Sequence, residues 1–290
     1  MKATGNHTKY ENNTQKLILL EELTWKKIEQ LDQDKTIFFI PLSPLEEHGP
    51  HLPIGTDLLT ARDAAKEAIK TLSSKKQGYN FMLFPAIPLG YSKIASCFPG
   101  TVSVRVKTIR FIVEDTIGSL ARFGFKFFVI CTFHMDLGHL KGIYTGIKKI
   151  TKTYPVKVIE PWGPYFFHKE VEKREPSVGF DTKKEVHACF RETSLMKYQY
   201  PYLVDESYKN LQNIYRDLYS PRFIGKTFKE IGITEGYIGS PARADSDYGR
   251  WYFQQIVDTY VNGVLDLLNG KEEKQLPKQI QILMRSMFWV

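Results

Sequence analysis

The chain has 290 residues, of which 42% are hydrophobic and 25% charged, a composition typical of a globular protein with a sizeable core. Lys and Arg exceed Asp and Glu by 40 to 32, a net charge of +8, but the basic residues form no tract, so no nucleic-acid partner is expected. The 3 cysteines show no Cys-x-x-Cys spacing, which argues against a thiolate zinc site and favours a reducing, cytoplasmic setting. No stretch approaches the roughly 20 apolar residues of a membrane span, so no membrane partner is expected either.

The chain begins with a polar segment, residues 1–16, that lacks the apolar core of a signal peptide. After it, short apolar runs rich in β-branched and aromatic residues alternate with segments of helical periodicity. The runs predict strands at 36–41, 81–89, 126–132 and 156–160, and the periodic segments predict helices at 57–74, 106–123, 138–152 and 246–269.

Alternating strands and helices are typical of an α/β fold in which helices cover both faces of a mostly parallel sheet. We therefore predict a three-layer α/β/α sandwich, formed as one domain over residues 17–290 behind the polar tail 1–16. The charged stretch 169–185, KEVEKREPSVGFDTKKE, is predicted to be a long surface loop. In folds of this class, ligands bind beyond the carboxyl ends of the strands.

Side chains that bind metals or protons follow two of the predicted strands, in the segments 42–57 and 133–136. Each segment holds a histidine and a carboxylate two residues apart, a spacing that turns both side chains the same way in an extended chain. Converging imidazoles and carboxylates suit a divalent metal ion, and a shared carboxylate can bridge two ions. The candidate ligands are Glu46, His48, Asp57, His134 and Asp136.

Each of these residues also has an ordinary structural interpretation. Asp57 lies at the predicted start of a helix, where a carboxylate can cap backbone N–H groups. His134 and Asp136 could be a polar pair that ends a strand. Cys189 as a nucleophile is a weaker alternative, since no nucleophile-elbow motif surrounds it. His139, on the following helix, is expected to serve packing or the surface.

The motif EEHGPHLPIGTD (46–57) closely resembles the signature of the creatininase (creatinine amidohydrolase) family. Later segments resemble the family's F-P-G-T segment, its apolar strand ending in a histidine, its H-A-G-x-x-E-T-S motif and its G-x-x-G-x-P run, in the same order. These segments are GYSKIASCFPGTVS (90–103), FFVICTFHMD (127–136), HACFRETS (187–194) and GYIGSPARADSDYG (236–249). The resemblance covers roughly residues 20–270.

The resemblance implies a role for each candidate ligand. Glu46 and His134 would hold one divalent ion, and His48 and Asp136 would hold a second. Asp57 would bridge the two ions. The cofactors would then be two divalent metal ions per subunit, of Zn, Mn or Fe.

The resemblance also implies residues that act on the substrate. His187 would transfer protons near the substrate, and Glu192 would support His187 or the metal site. Asp136 would be both a metal ligand and a catalytic residue. The family likeness further implies a creatininase-like metallohydrolase domain over 17–290 and a homo-oligomer, a hexamer built from dimers.

The surroundings of these residues depart from the family pattern. Thr132 and Phe133 stand where Asn-Gly is usual, Ile94 and Ala95 stand where Glu-His is often found, and Asp136 is one methylene shorter than the creatininase Glu. Since the ligands are retained while the surroundings differ, we expect hydrolysis of a small-molecule amide or cyclic amide other than creatinine. Two alternatives stay open: cleavage of a terminal residue from a short modified peptide, and a metal-dependent binding protein without turnover.

Overall fold

The computed structural model describes residues 17–216, 218, 223 and 225–287, so the predicted polar tail lies outside the described residues. Within them, a parallel sheet contains the strands β1 (Ile18–Leu19), β2 (Thr36–Pro41), β3 (Asn80–Leu83), β4 (Phe127–Cys131) and β5 (Lys157–Ile159). The strand order is β1-β3-β2-β4-β5, so β1 and β5 are the edge strands and β2 lies in the centre of the sheet.

Helices cover both faces of this sheet. The α-helices of the described residues are α1 (Trp25–Glu29), α2 (Thr56–Lys75), α3 (Val106–Ala121), α4 (Leu137–Thr153), α5 (Trp162–Phe167), α6 (Glu170–Arg174), α7 (Phe190–Gln199), α8 (Ser246–Leu268) and α9 (Lys278–Ser286). None of these helices is long and apolar enough to cross a bilayer.

The alternation of side chains along β2 builds two cores. Ile37 and Phe39 pack with apolar residues of α2 and α8 on one face, and Phe38 and Ile40 pack with those of α3 and α4 on the other. A strand that is buried on both faces is apolar along most of its length, which is why IFFIP follows Thr36 as a continuous apolar run. The predicted three-layer sandwich with a mostly parallel sheet is confirmed, whereas the extent of the domain over 17–290 stays a prediction.

The predicted strands and long helices are present close to their predicted bounds, and the differences have local causes. The strand predicted at 81–89 ends at Leu83, because Pro85 and Pro88 have no N–H to donate to the ladder. Ile87 still donates its N–H to the carbonyl of Pro41 at 2.9 Å. The two-residue β1 is too short to give a sequence pattern.

The prediction of a long surface loop at 169–185 is correct for the exposed part of the stretch and wrong for two short helical segments and several buried side chains. Residues Glu170–Arg174 form α6, and Val171 in it is 1% exposed. Glu175 receives hydrogen bonds from Thr182 Oγ1 at 2.5 Å and from Arg191 Nη2 at 3.1 Å. The carboxylate of Glu175 is therefore paired with Arg191, a buried arginine of α7. The composition of the stretch itself does not reveal this distant partner.

The carboxyl ends of β2 and β4 lie side by side. Pro41 pairs with Cys131, and the N–H of Leu42 donates to the Cys131 carbonyl at 2.9 Å. The segments that follow, 42–57 and 132–136, therefore leave the sheet next to each other. The two groups of metal-binding side chains start from this shared edge.

The packing of α3 on α4 depends on a glycine. A Cβ at Gly142 would lie 2.7 Å from Ile109 Cβ and 2.9 Å from the Val106 carbonyl oxygen, and backbone cannot move aside easily. Gly118, on α3, has room, since a Cβ there would lie 3.4 Å from the end of the Ile150 side chain. The close approach of α3 and α4 thus requires glycine at position 142 but not at position 118.

Gly142→Ala is therefore expected to lower the free energy of unfolding by about 1–3 kcal/mol, because overpacking outweighs the better helix propensity of alanine. Gly118→Ala is the matched control and should be neutral or stabilising by up to about 1 kcal/mol. Chemical denaturation of both variants measures the difference. Equal stabilities would contradict the close packing of α3 on α4.

Candidate metal centre

The loop after β2 turns two candidate ligands inward, and both Glu46 and His48 are 1% exposed. The N–H of Glu46 donates to the Ile54 carbonyl at 2.8 Å, which holds the two sides of the loop together. Gly49 reverses the chain at φ 66°, a conformation that residues with a side chain rarely adopt. A Cβ there would also lie 3.0 Å from the ring of His51, so the HGPH sequence fits this turn.

Asp57 lies in the first turn of α2 and is 2% exposed. The N-cap of α2 is Gly55, so capping is not the role of Asp57. Its two oxygens face different imidazoles: Oδ2 is 3.0 Å from His134 Nδ1, and Oδ1 is 3.4 Å from His48 Nε2. One carboxylate thus lies between two histidines, as a bridging ligand requires.

The ring of His134 has two different surroundings. Its Nε2 is 2.9 Å from the carbonyl oxygen of Tyr91, and its Nδ1 is 3.0 Å from both Glu46 Oε2 and Asp57 Oδ2. Because a carbonyl only accepts hydrogen bonds, Nε2 carries the proton of the neutral ring. Nδ1 then faces two carboxylate oxygens, so either a second proton or a metal ion has to lie among these three atoms.

His48 repeats this arrangement with its nitrogens exchanged. Its Nδ1 is 3.0 Å from the backbone carbonyl oxygen of Glu46 and therefore donates to it. Its Nε2 is left with a lone pair that faces Asp57 Oδ1 at 3.4 Å and Glu192 Oε1 at 4.0 Å. Backbone carbonyls thus orient both imidazoles as metal ligands are usually oriented.

The described residues contain three groups of side chains whose ligand atoms lie within 4.8 Å of one another and could hold a metal ion. Two of the groups share Asp57. The groups are Glu46, Asp57 and His134; His48, Asp57 and Glu192; and Glu46, His48 and His187. Buried atoms of four of these residues have no hydrogen-bond partner among the described residues: Glu46 Oε2, His48 Nε2, Asp57 Oδ2 and Glu192 Oε2. Unpaired imidazole and carboxylate atoms of this kind fit a divalent cation.

Asp136 belongs to none of these three groups. Its Oδ1 accepts hydrogen bonds from the backbone N–H groups of Gly138 at 2.6 Å and His139 at 3.3 Å, so it caps α4. A Cβ at Gly138 would overlap the ring of Tyr91, which keeps this helix start close to the loop that orients His134. Glu192, from the first turn of α7, has its Oε1 4.0 Å from His48 Nε2.

His187 forms one of these groups together with Glu46 and His48, and it is 9% exposed. Its ring centroid is 4.4 Å from that of His48, and its backbone pairs with Ile238 through two hydrogen bonds of 3.1 and 2.8 Å. The next residue, Ala188, has φ 45°, a left-handed conformation that is strained for alanine. Strain next to a buried histidine is typical of a functional position.

The charges of the centre shift the pKa of its members in opposite directions. Burial alone would lower the pKa of His48, but the carboxylates of Asp57 and Glu192 outweigh it and raise this pKa to about 10. Burial alone would raise the pKa of Glu46, but the imidazoles of His134 and His187 lower it to about 2. Glu46 and Asp57 are therefore charged, and His48 and His134 are protonated when no metal is bound, whereas burial raises the pKa of Glu192.

Three neighbouring residues have supporting positions. His51 Nε2 and Thr193 Oγ1 are 2.8 Å apart, and burial lowers the pKa of His51 to about 4. His139 is fully buried and burial lowers its pKa to about 3, so it serves packing. Burial also raises the pKa of the Cys189 thiol well above its usual value, which leaves little thiolate for a nucleophile.

Sequence reasoning missed two contributors to the centre. Ser92 is fully buried and donates from Oγ to Glu46 Oε1 at 2.5 Å, and Tyr91 supplies the carbonyl that orients His134. Both lie in the GYSKIASCFPGTVS segment, which carried the family resemblance without showing these contacts. A single serine or a backbone carbonyl gives no sequence pattern that predicts such a contact. The family motif at 90–103 pointed only to the segment in which both lie.

The described residues thus form a parallel α/β sandwich with a candidate metal centre of buried carboxylates and histidines at the carboxyl edge of its sheet. The model of the creatininase family, described as creatinine amidohydrolase, matches residues 21–264. The chain therefore belongs to the creatininase family, whose members are amidohydrolases that act on carbon–nitrogen bonds.

Individual relatives differ in what they act on. The chain is 26% identical over 204 residues to creatinine amidohydrolase of Pseudomonas putida, covering 66% of this chain and 75% of the relative. It is 32% identical over 102 residues to the mycofactocin precursor peptide peptidase of Mycobacterium ulcerans (strain Agy99), covering 33% of this chain and 40% of that relative. The second match thus spans less than half of the peptidase.

Solved structures of creatininase share the fold. The crystal structure of creatinine amidohydrolase superposes with a TM-score of 0.70 at 23% identity, covering 87% of this chain and 98% of that one. A manganese creatininase has a TM-score of 0.65 at 21% identity, and a mutant creatininase of Zn-Zn type has 0.68 at 22%, each covering 87% of this chain and 99% of the other. At these identities the likeness establishes the architecture alone.

Metal binding is expected to release protons, since the pKa of His48 is raised to about 10 and that of His134 is raised as well. At pH 8 the His48 ring of the metal-free protein carries an extra proton, and the raised pKa of His134 adds to the effect, so loading should release at least one proton per chain and the apparent affinity should rise with pH up to about 10. Calorimetry in buffers of different ionisation enthalpy measures this release. Imidazoles with ordinary pKa values near 6.5 would release almost none at pH 8, and that result would contradict the electrostatics described.

Proposed function

We propose that this protein is an amidohydrolase that holds two divalent metal ions and hydrolyses the carbon–nitrogen bond of an amide other than creatinine. The observation that carries the proposal is the position of Asp57 between two histidines, each of which contacts a backbone carbonyl through one ring nitrogen and turns the other toward carboxylate oxygens. A structural metal site would need only one such set of ligands. Two sets that share one carboxylate fit a dinuclear hydrolytic centre.

The ligand assignment follows the groups of converging atoms. Glu46, Asp57 and His134 would hold the first ion, and His48, Asp57 and Glu192 would hold the second. This assignment gives Glu192 the ligand role that the family resemblance implied for another residue. Asp136 is left out of the ligand sets, because its Oδ1 is engaged with two backbone N–H groups of α4.

The ions would supply Lewis-acid polarisation of the substrate carbonyl and would make water acidic enough to ionise near neutral pH. The residues of the chain supply the rest. The burial of Glu46, His48 and Asp57 keeps bulk water away from the charges that orient the reacting groups. His187 would take a proton from the attacking water and deliver it to the leaving nitrogen.

The metal identity is part of the proposal. Sites of mixed nitrogen and oxygen ligands accept zinc, manganese and iron, and creatininase structures in zinc and manganese forms support the first two. We propose Zn or Mn as the ions to test first, with Fe as the third choice.

A second candidate function is the cleavage of a terminal residue from a short modified peptide. The relatives described as mycofactocin precursor peptide peptidases favour it, since one is 32% identical over 102 residues. Both candidates use the same attack on an amide carbonyl, so they differ in substrate size and not in the centre. A binding protein without turnover is the third candidate, and it would have no use for a proton-transfer residue at His187.

Substitution of single ligands should change the metal content in a graded way. Asp57→Asn is expected to lose most of both ions, and Glu192→Gln to lose one of the two, because each removes a charged oxygen from the sets proposed above. Asp136→Asn should keep both ions, since asparagine also caps a helix. Elemental analysis after dialysis measures this, with circular dichroism as the control for folding. Loss of an ion in Asp136→Asn together with retention in Glu192→Gln would contradict the assignment.

Turnover should require both the ions and His187. Metal-loaded protein is to be incubated with creatinine, other cyclic amides, N-formyl amines and short peptides with a modified terminus, with and without Zn²⁺ or Mn²⁺. For the amide that reacts, His187→Gln should lower kcat by about 10²–10⁴-fold while the metal content stays unchanged. His168→Gln is the matched control, since His168 Nε2 contacts only the Gln275 carbonyl at 3.0 Å in a partly exposed position. The absence of any metal-dependent product would favour the binding protein, and full activity of His187→Gln would remove His187 from the reaction.

A further inference from the structure

Glu185 lies two residues before His187, and only 6% of it is exposed. Its carboxylate belongs to none of the groups that could hold a metal ion among the described residues, so its burial needs another reason. We propose that Glu185 is a positioning residue, which holds the start of α7 against the segment of His187 and so places Glu192 beside His48. This inference rests on the roles of His187 and Glu192 in the proposed function.

One oxygen of Glu185 binds two different segments of the chain. Its Oε2 accepts a hydrogen bond from the backbone N–H of Phe190 at 2.8 Å and another from that of Ser240 at 3.0 Å. Phe190 is the first residue of α7, and the N-cap residue of that helix, Cys189, makes no capping hydrogen bond with its side chain. The carboxylate of Glu185 therefore supplies the cap that Cys189 does not, and a negative charge is favourable at a helix N-terminus.

The second of these segments is the one that pairs with His187. The N–H of His187 donates to the Ile238 carbonyl at 3.1 Å, and the N–H of Ile238 donates to the His187 carbonyl at 2.8 Å. Ser240 follows this pair by two residues. Because Glu185 Oε2 binds both Ser240 and Phe190, a single oxygen fixes the segment beside His187 to the start of α7.

The space around this oxygen is fitted to a glutamate. A Cβ at Gly239 would overlap the Glu185 carboxylate and would lie 2.6 Å from Cys189 Cβ, and Gly239 has φ 144°, a conformation that disfavours any side chain. The backbone N–H of Glu185 donates to the Thr182 carbonyl at 3.1 Å, which fixes the other end of the residue. A shorter side chain at position 185 would therefore leave two buried N–H groups without their acceptor.

Glu192 depends on this contact because it lies in the first turn of α7. Its Oε1 is 4.0 Å from His48 Nε2, and these two residues are ligands of the second ion in the proposed function. A shift of the helix start moves Glu192 directly, whereas Glu46 and His134 lie on the segments after β2 and β4. Loss of the Glu185 contact should therefore weaken the second ion far more than the ion of Glu46 and His134.

Two substitutions separate the reach of the Glu185 side chain from its charge. Glu185→Gln keeps an oxygen at the same reach and should retain both ions, since Oε1, whose place the amide nitrogen takes, has no hydrogen-bond partner among the described residues. Glu185→Asp keeps the charge but is one methylene shorter, so the apparent affinity for the second Zn²⁺ should fall by about 10–100-fold, the effect of losing a hydrogen bond to a charged group. Titration of the metal-free full chain with Zn²⁺ against a chelator of known affinity measures this difference.

The positioning role is overturned if Glu185→Asp keeps full affinity for the second ion, or if Glu185→Gln loses that affinity. Gly239→Ala displaces the same carboxylate and should lower the same affinity, so it replaces Glu185→Asp if that variant does not fold. A role of Glu185 in folding alone would lower the thermal stability of the variants without a selective loss of one ion.

Glu160 offers a matched control, since it is a fully buried carboxylate that holds the start of another helix. Its Oε1 accepts the backbone N–H groups of Trp162 and Gly163, each at 3.0 Å, in the first turn of α5. Glu160→Asp should leave the affinity for both ions unchanged, because α5 carries none of the proposed ligands. An equal loss of the second ion in Glu160→Asp would contradict a specific role of Glu185.

The outcome is distinguishable from that of the proposed function. If no amide is hydrolysed but Glu185→Asp selectively loses one of two ions, the positioning role stands and the hydrolase proposal fails. If an amide is hydrolysed and Glu185→Asp keeps full affinity for both ions, the hydrolase proposal stands and the role of Glu185 fails.

Discussion

The candidate centre depends on two histidines whose second ring nitrogen faces carboxylate oxygens, so that either a proton or a metal ion has to lie between them. His134 donates to the Tyr91 carbonyl and His48 to the Glu46 carbonyl, so each ring turns a lone pair toward carboxylate oxygens. Lone pairs and carboxylates at 3.0–3.4 Å repel one another unless a cation lies between them. Since the interior excludes water, the need for that cation is larger than it would be at the surface.

The histidines and carboxylates of the centre lie on four different segments of the fold, each of which is held by the sheet or by a helix. The loop after β2 brings Glu46 and His48, the start of α2 brings Asp57, the segment after β4 brings His134, and α7 brings Glu192. Because the carboxyl ends of β2 and β4 are adjacent, the loops that carry Glu46, His48 and His134 lie close together. The packing of α7 then brings Glu192 to the same place. A centre assembled from supports this rigid can hold ligand atoms at fixed positions before an ion arrives.

Much of this arrangement could be predicted from the sequence, because it depends on local patterns. Continuous apolar runs gave the buried strands, and the i, i+2 spacing of Glu46 and His48 gave their common direction. The same spacing predicted Asp136 as a ligand, and that stays a prediction, since the chain turns into α4 there and Asp136 Oδ1 caps the helix. Glu192 could not be selected by spacing, since its closeness to His48 arises only when α7 packs on the rest of the molecule. The buried interactions of 169–185 were missed for the same reason, since Glu175 finds its partner in Arg191 of another helix.

Anomalous diffraction from crystals of the zinc- or manganese-loaded protein tests the central claim most directly. The account predicts two anomalous peaks about 3.5–4 Å apart on either side of Asp57, one touching Glu46 and His134 and the other touching His48 and Glu192. A single peak, or peaks bound through Asp136 with Glu192 turned away, would contradict it.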